Sequence, residues 1–113
     1  MKEILHAKIH HAIVTESNLN YVGSITVDEA LLEKVGIVEN EKVLVSSITS
    51  GNILETYVFL GKRNSGVICM NGATSHLIKK GEIVVIMAFE ITNDLIKPKV
   101  ALVDNNNAFI KYL

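Results

Sequence analysis

Residues 4–14 alternate in polarity. Leu5, Ala7, Ile9 and Ile13 fall on one face, and His6, Lys8, His10 and Ala12 on the other, with His11 interrupting the apolar set. A period of two predicts a strand with one buried face and one face of ionisable groups. Residues 16–20 are polar and predict a loop, and residues 21–25 read as extended or hairpin-like. Asp28 stands where a helix N-cap belongs, Leu31, Leu32 and Val35 supply a helical stripe, and Gly36 supplies the stop. A polar turn over 39–42 leads into a strand over 43–48, which the turn 49–52 joins to a strand over 53–60 as a hairpin. After the polar turn 62–66 comes the apolar run 67–70. Asn71-Gly72 then signals a turn ahead of a helical turn over 73–78. Residues 79–82 lead into the most apolar strand, 83–89. Beyond Glu90 the pattern loosens, with a strand near 100–103, polar punctuation over 104–107, and a tail over 108–113 that is either a last strand or packs on a neighbour.

The run from helix through polar turn to strand occurs twice, from Leu32 to Val45 and from His76 to Val85. Short strands with two short helical turns suggest a small closed barrel, which removes exposed sheet edges. The 113 residues suit one domain, 1–113, with a modest core. Hydrophobic residues make up 49% but aromatics only 5%, so Val, Ile and Leu carry that core and favour sheet. Eleven basic and twelve acidic residues give a net charge of −1. No basic stripe or charge block stands out, so neither nucleic acid nor a membrane surface is an expected partner. The N-terminus meets a lysine and a histidine before any long apolar run, so no signal peptide or spanning segment is expected and the cytoplasm is the simplest location. Cys69 is the only cysteine, which rules out an internal disulfide and a cysteine-cluster zinc site. Three histidines crowd residues 6–11, but His6 and His10 share a face that His11 opposes, and no carboxylate is spaced to complete a set. No metal is expected.

The candidate chemistry lies in Tyr21-Val22-Gly23-Ser24-Ile25. A serine hydroxyl directly after a glycine can attack the carbonyl carbon on its own N-terminal side. The acyl group then moves from nitrogen to oxygen and leaves an ester. β-Elimination gives a dehydroalanine, which hydrolyses to a pyruvoyl group. Resonance protects a peptide bond against this, so the fold must distort it, and glycine tolerates the backbone conformations required. A Gly-Ser pair alone is ordinarily a turn between strands.

The residues around Gly23-Ser24 add to it. Lys8 and His10 lie upstream in Ala7-Lys8-Ile9-His10, and Thr56-Tyr57 and Asn71-Gly72-Ala73 lie downstream. From about Leu5 to about Phe89 the chain resembles the bacterial aspartate 1-decarboxylases, self-processing pyruvoyl enzymes that make β-alanine for pantothenate. The Lys-x-His, Tyr-x-Gly-Ser and Asn-Gly-Ala elements stand in that family's order and at its spacing. The resemblance implies a mainly β fold, a small double-psi β-barrel with short helical turns. It implies cleavage into 1–23 and 24–113, with Ser24 first the nucleophile and then the covalent pyruvoyl group. That group would take the amine of L-aspartate as a Schiff base and accept the electrons freed as carbon dioxide leaves.

Other roles carry over residue by residue. Tyr57 looks like the acid that returns a proton to the carbanion carbon, since a phenol with an ordinary pKa of about 10 stays protonated at neutral pH. Its plain alternative is a strand tyrosine packed on the sheet. Lys8 looks like the cation facing a substrate carboxylate, and His10 and Tyr21 like residues near the processing site with Gly23. Thr56 would help processing or contact substrate, although adjacent strand residues face opposite ways. Asn71, Gly72, Ala73 and Thr74 would line the substrate site, with turn N–H groups cradling a carboxylate. The family more often has alanine where Thr74 stands. The resemblance also implies a homotetramer with sites between neighbouring barrels, matured spontaneously or with a helper protein.

The main departure is Ile53, where the family normally places an arginine that pairs with a substrate carboxylate. Ser46 likewise stands where a bulky aromatic is often found. Lys8 alone, or Arg63 or Lys62 from the following turn, are the candidates to replace that arginine. Two other readings stay open: a non-catalytic barrel that binds a ligand or partner, and the same chemistry on a different amino acid.

Overall fold

The apolar positions that alternate along the sequence become strands whose inward residues meet in one core. A computed structural model describes residues 1–20 and 24–113. Their elements run β1 (Lys2–Ile13), β2 (Glu16–Asn18), β3 (Ser24–Asp28), α1 (Glu29–Val35), β4 (Lys42–Ser47), β5 (Ile53–Gly61), β6 (Ile68–Asn71), α2 (Thr74–Leu77), β7 (Ile83–Thr92), β8 (Lys99–Val103) and β9 (Phe109–Tyr112). The strands form one mixed sheet in the order β2-β6-β3-β5-β4-β7-β1-β8-β9. Pairs β2/β6, β3/β5 and β1/β8 are parallel, and the others antiparallel. Ile9, Ile25, Ile68, Met70 and Ile86 are fully buried where the inward faces meet.

The sheet curls until its two sides touch. Past the end of β1, Thr15 N–H donates to Ile68 O at 2.8 Å, and Ile68 N–H donates to Thr15 Oγ1 at 2.9 Å. Asn107 strengthens this seam. Its Nδ2 donates to Ile13 O and Gly66 O, and its Oδ1 accepts from Ile13 N–H, all at 2.8 Å. Gly66 has φ 72, and a Cβ there would run into Asn106 O, so the turn requires glycine. The two helix–turn–strand units seen in the sequence end in β4 and β7, which pair antiparallel through Val45↔Ile86.

Helix α1 ends as its sequence predicts. Asp28 Oδ1 accepts from Ala30 N–H at 2.8 Å, and Gly36 closes the helix at φ 83. The tail is a strand, β9, antiparallel to β8. Three expectations need correction. Residues 16–18, expected in a loop, form β2, because β6 offers a parallel edge to pair with. The apolar strand runs on to Thr92, because β1 keeps pairing with it as far as Lys2↔Thr92.

The third correction concerns β1. Its register shifts between Leu5 and Ala7 and again between Ile9 and Ala12. Each shift inserts one residue, and one residue reverses the faces. The inward residues are therefore Ala7, Ile9 and Ala12, followed by Val14, while Leu5 and Ile13 are only half-buried. His11 absorbs the second bulge at φ 64, and its ring stacks on His10 with centroids 4.0 Å apart rather than facing away.

Candidate active site

Ser24 opens β3. Ile25 and Val27 point into the core, so Ser24 and Thr26 point to the barrel's outer side. Ser24 is nonetheless 0% exposed, and a buried hydroxyl needs a partner. Strand β6 supplies one, because it pairs antiparallel with Ser24 opposite Asn71 and Thr26 opposite Cys69. Asn71 Nδ2 donates to Ser24 Oγ and to Thr26 Oγ1, both at 2.9 Å. Cys69 Sγ donates to Asn71 Oδ1 at 3.1 Å. Burial, with the Glu16 carboxylate second, pushes the Cys69 thiol pKa up, so it keeps its proton at neutral pH. Tyr21 and Gly23 lie outside the described residues.

Strand β5 runs parallel on the other side of β3, with Ile25↔Val58 and Thr26↔Phe59 in register. Paired residues share a face, so Tyr57 and Phe59 stand on Ser24's outer side. Their rings meet edge to face at 5.5 Å. Thr56 takes the opposite face, with Leu54 and Val58. A groove of ≈ 710 Å³ opens along this outer side. Thr26, Phe59, Cys69 and Asn71 line it with Leu60 and Val67, and Glu16 and Glu39 complete its lining. Its described lining thus holds two carboxylates and no cation.

One amide of the expected cradle in the turn after Asn71 is already committed. Gly72 N–H donates to Asn18 O at 2.7 Å, so that amide is committed to β2. Thr74 Oγ1 donates to Asn71 O, and Ser75 Oγ to Gly72 O, both at 2.7 Å. These bonds lock the turn around Ala73, and the Asn71 side chain addresses the Ser24 hydroxyl.

Lys8 and His10 stand on β1. On the outer face, Lys8 pairs with Met87, Met87 with Leu44, and Leu44 with Glu55 of β5. In the sheet order β1 stands three strands from β5 and four from β3. The buried Nδ1 of His10 lacks a hydrogen-bond partner among the described residues. Burial first, then the charges of His11 and Lys8, lower the pKa of His10 and keep the imidazole neutral at neutral pH.

Ile53 is 63% exposed and pairs with Ser46. Arg63, one candidate to replace the expected arginine, is paired with Glu33. Its two terminal nitrogens hold both oxygens of Glu33, at 2.7 and 2.6 Å. Sequence reading missed Thr26 and Cys69. The signal was present in spacing, since Ser24 and Thr26 are two apart on one strand and Cys69 and Asn71 two apart on another. Only the β3/β6 register joins the pairs. Among the described residues, no group of three or more His, Cys, Asp or Glu stands close enough to hold a metal ion, and no helix is long and apolar enough to cross a membrane.

Fold and site together define a small mixed β-barrel carrying a buried internal serine directly after a glycine. The chain belongs to the aspartate decarboxylase family, whose sequence model matches residues 1–110. It is 53% identical over 113 residues to the aspartate 1-decarboxylase of Caldicellulosiruptor saccharolyticus, covering 96% of this chain and 88% of the relative. The aspartate 1-decarboxylase of Exiguobacterium sibiricum is 50% identical over 117 residues, covering 100% and 92%. That of Bacillus cereus is 48% identical over 116 residues, covering 99% and 91%. A crystal structure of the rationally designed mkDPBB_sym1 protein overlaps 70% of this chain and 93% of its own, at TM-score 0.49 and 18% identity. The mainly β barrel with short helical turns, expected as double-psi, agrees with the family and with the two related helix–turn–strand halves.

Proposed function

We propose that the chain is a self-processing decarboxylase that converts L-aspartate to β-alanine and carbon dioxide, feeding pantothenate synthesis. The observation that carries this is Ser24 Oγ, fully buried after Gly23 and held by the Asn71 amide. A serine serving only as a turn residue would be solvated. Here an N–H donor points at the oxygen that must become a nucleophile and is ready to stabilise charge developing there. Cleavage between Gly23 and Ser24 would divide the single domain into 1–23 and 24–113. His10, neutral at neutral pH, is able to take a proton during it, with Tyr21 beside the scissile bond by resemblance.

The residues present fit a pyruvoyl group at position 24. The position excludes water, and Asn71 supplies a donor to an oxygen there. That group would supply the electron sink for decarboxylation. Tyr57, on the same face, would hold the proton that the product carbon receives. Asn71 and the 72–74 turn would border the bound substrate. Thr56, on the inner face, would act through the backbone of β5 rather than by direct contact.

A dicarboxylate needs cations, and the groove lining has none. Lys8, on the outer face of β1, is not part of that lining. The arrangement supports a site completed by Lys8 and His10 from β1 of a neighbouring barrel, in a homotetramer. A helper protein for maturation remains compatible with this. The exposed Ile53 and the two groove carboxylates favour one second reading, the same chemistry on an amino acid with fewer negative charges. Purified protein incubated with a panel of amino acids separates the readings. Release of β-alanine and carbon dioxide in equal amounts from L-aspartate, abolished by hydroxylamine as a carbonyl reagent, supports the first. Product from another amino acid alone supports the second.

A further inference from the structure

Asn71 presents two chemically different ends to two sets of partners. Its Nδ2 faces Ser24 Oγ and Thr26 Oγ1, and its Oδ1 faces Cys69 Sγ. Asn71 is 1% exposed and Cys69 4%, so water does not decide which end points where. A turned amide has nearly the same shape, and only its hydrogen-bond partners fix its orientation. The two hydroxyls do not fix it, because a hydroxyl donates or accepts. Cys69 does. A thiol is a donor whose sulfur accepts poorly, and burial keeps this one protonated. The sulfur therefore favours the carbonyl end of the amide and leaves the NH2 end on Ser24.

We propose that Cys69 is a positioning residue for self-cleavage, holding the Asn71 amide so that Nδ2 points at Ser24 Oγ. This rests on the self-processing reading and adds the group that sets its rate. In the acyl shift, Ser24 Oγ bonds to the Gly23 carbonyl carbon and the carbon–nitrogen bond breaks. The hydroxyl proton ends on the Ser24 nitrogen, so no atom is lost. Oγ carries negative charge as its proton leaves, before bond formation passes that charge to the Gly23 carbonyl oxygen. An N–H directed at Oγ stabilises that charge, whereas a carbonyl oxygen in its place repels it and holds back the proton. Cys69 touches none of the reacting atoms and acts only through Asn71.

The test uses two matched pairs of variants, Cys69→Ser with Cys69→Ala, and Cys69→Thr with Cys69→Val. Thr and Val have nearly one shape and differ by one hydroxyl donor, and Ser exceeds Ala only by its hydroxyl. Freshly purified precursor is warmed, and the uncleaved fraction is followed by intact mass, with melting temperature recorded alongside. Cys69→Ser and Cys69→Thr should each cleave about three- to tenfold faster than their donor-free partners, the range of one hydrogen bond of ordinary strength. Rescue by a donor in both sizes is not what simple packing gives. If one pair fails to fold, the other carries the comparison. Equal rates within a folded pair, with wild type cleaving, overturn this inference and leave the self-processing reading standing. A wild type that never cleaves overturns both.

Discussion

Asn71→Ala is the most informative single change, because one amide meets three side chains. It deletes two N–H···O bonds of 2.9 Å, to Ser24 and Thr26, and the acceptor of Cys69. Ser24 is 0% exposed, so its oxygen is left unsatisfied without water to replace the donor. An unpartnered buried polar group costs about 1–3 kcal/mol. Thr26 is only half-buried and a thiol bond is weak, so these add little. We therefore expect the uncleaved variant to be about 2 kcal/mol less stable, roughly 8 °C in melting temperature for a chain of this size. The effect on cleavage should be larger than that stability loss alone implies, because the donor matters most when charge develops on Oγ. A hydrogen bond to a group carrying charge is worth about 1.5–3 kcal/mol, roughly ten- to a hundredfold in rate. The assay is a time course of intact mass on precursor well below the melting transition, with Asn71→Asp as an isosteric companion that lacks the donor. Both variants should stay largely uncleaved while wild type is consumed. Cleavage of folded Asn71→Ala at the wild-type rate would show that the amide only packs, and the role given to it here would be wrong.

Tyr57→Phe should cleave normally yet lose β-alanine formation, because it removes the phenol proton and little volume; product at the wild-type rate would assign the acid elsewhere. Lys8→Met should raise KM for L-aspartate roughly ten- to a hundredfold, the worth of a charge-assisted hydrogen bond, and Ile53→Arg should lower it. Arg63→Met should leave KM alone, because Glu33 already occupies that guanidinium; a KM that moves with Arg63 and not with Lys8 would misplace the substrate carboxylate. The folded pKa of His10 lies below its ordinary 6.5, so the unfolded chain binds more protons as the solution is acidified. His10 should contribute stability above about pH 6.5 that is lost as pH falls through its folded pKa, and His10→Gln should flatten melting temperature against pH there; an unchanged slope would refute that assignment.

Much of this was legible because it is local. The cap at Asp28, the stop at Gly36, the hairpin between β4 and β5 and the repeated helix–turn–strand unit each depend on neighbouring residues. So do the Gly23-Ser24, Thr56-Tyr57 and Asn71-Gly72-Ala73 elements that point to the family. What escaped depends on pairing between distant strands. A bulge leaves no mark in an alternating pattern, so the reversal that turns Ala12 inward and Leu5 outward was invisible, and His11 has no side-chain chemistry that announces φ 64. Strand β2 exists because β6 is there to pair with it. Cys69 and Thr26 gain meaning only from the register that sets them opposite one another, and Asn107 reads as turn punctuation until the seam it holds is seen.

The central claim is that Ser24 cleaves its own chain, and the mass of the mature protein tests it most directly. Purified wild type, warmed until its mass stops changing, should resolve into residues 1–23 and 24–113, the larger fragment without a free amine and reactive toward hydroxylamine. Ser24→Ala, with no hydroxyl to attack the Gly23 carbonyl, should remain one chain of 113 residues. Wild type that stays intact under conditions where it is folded, or Ser24→Ala that cleaves at the same bond, would contradict the account.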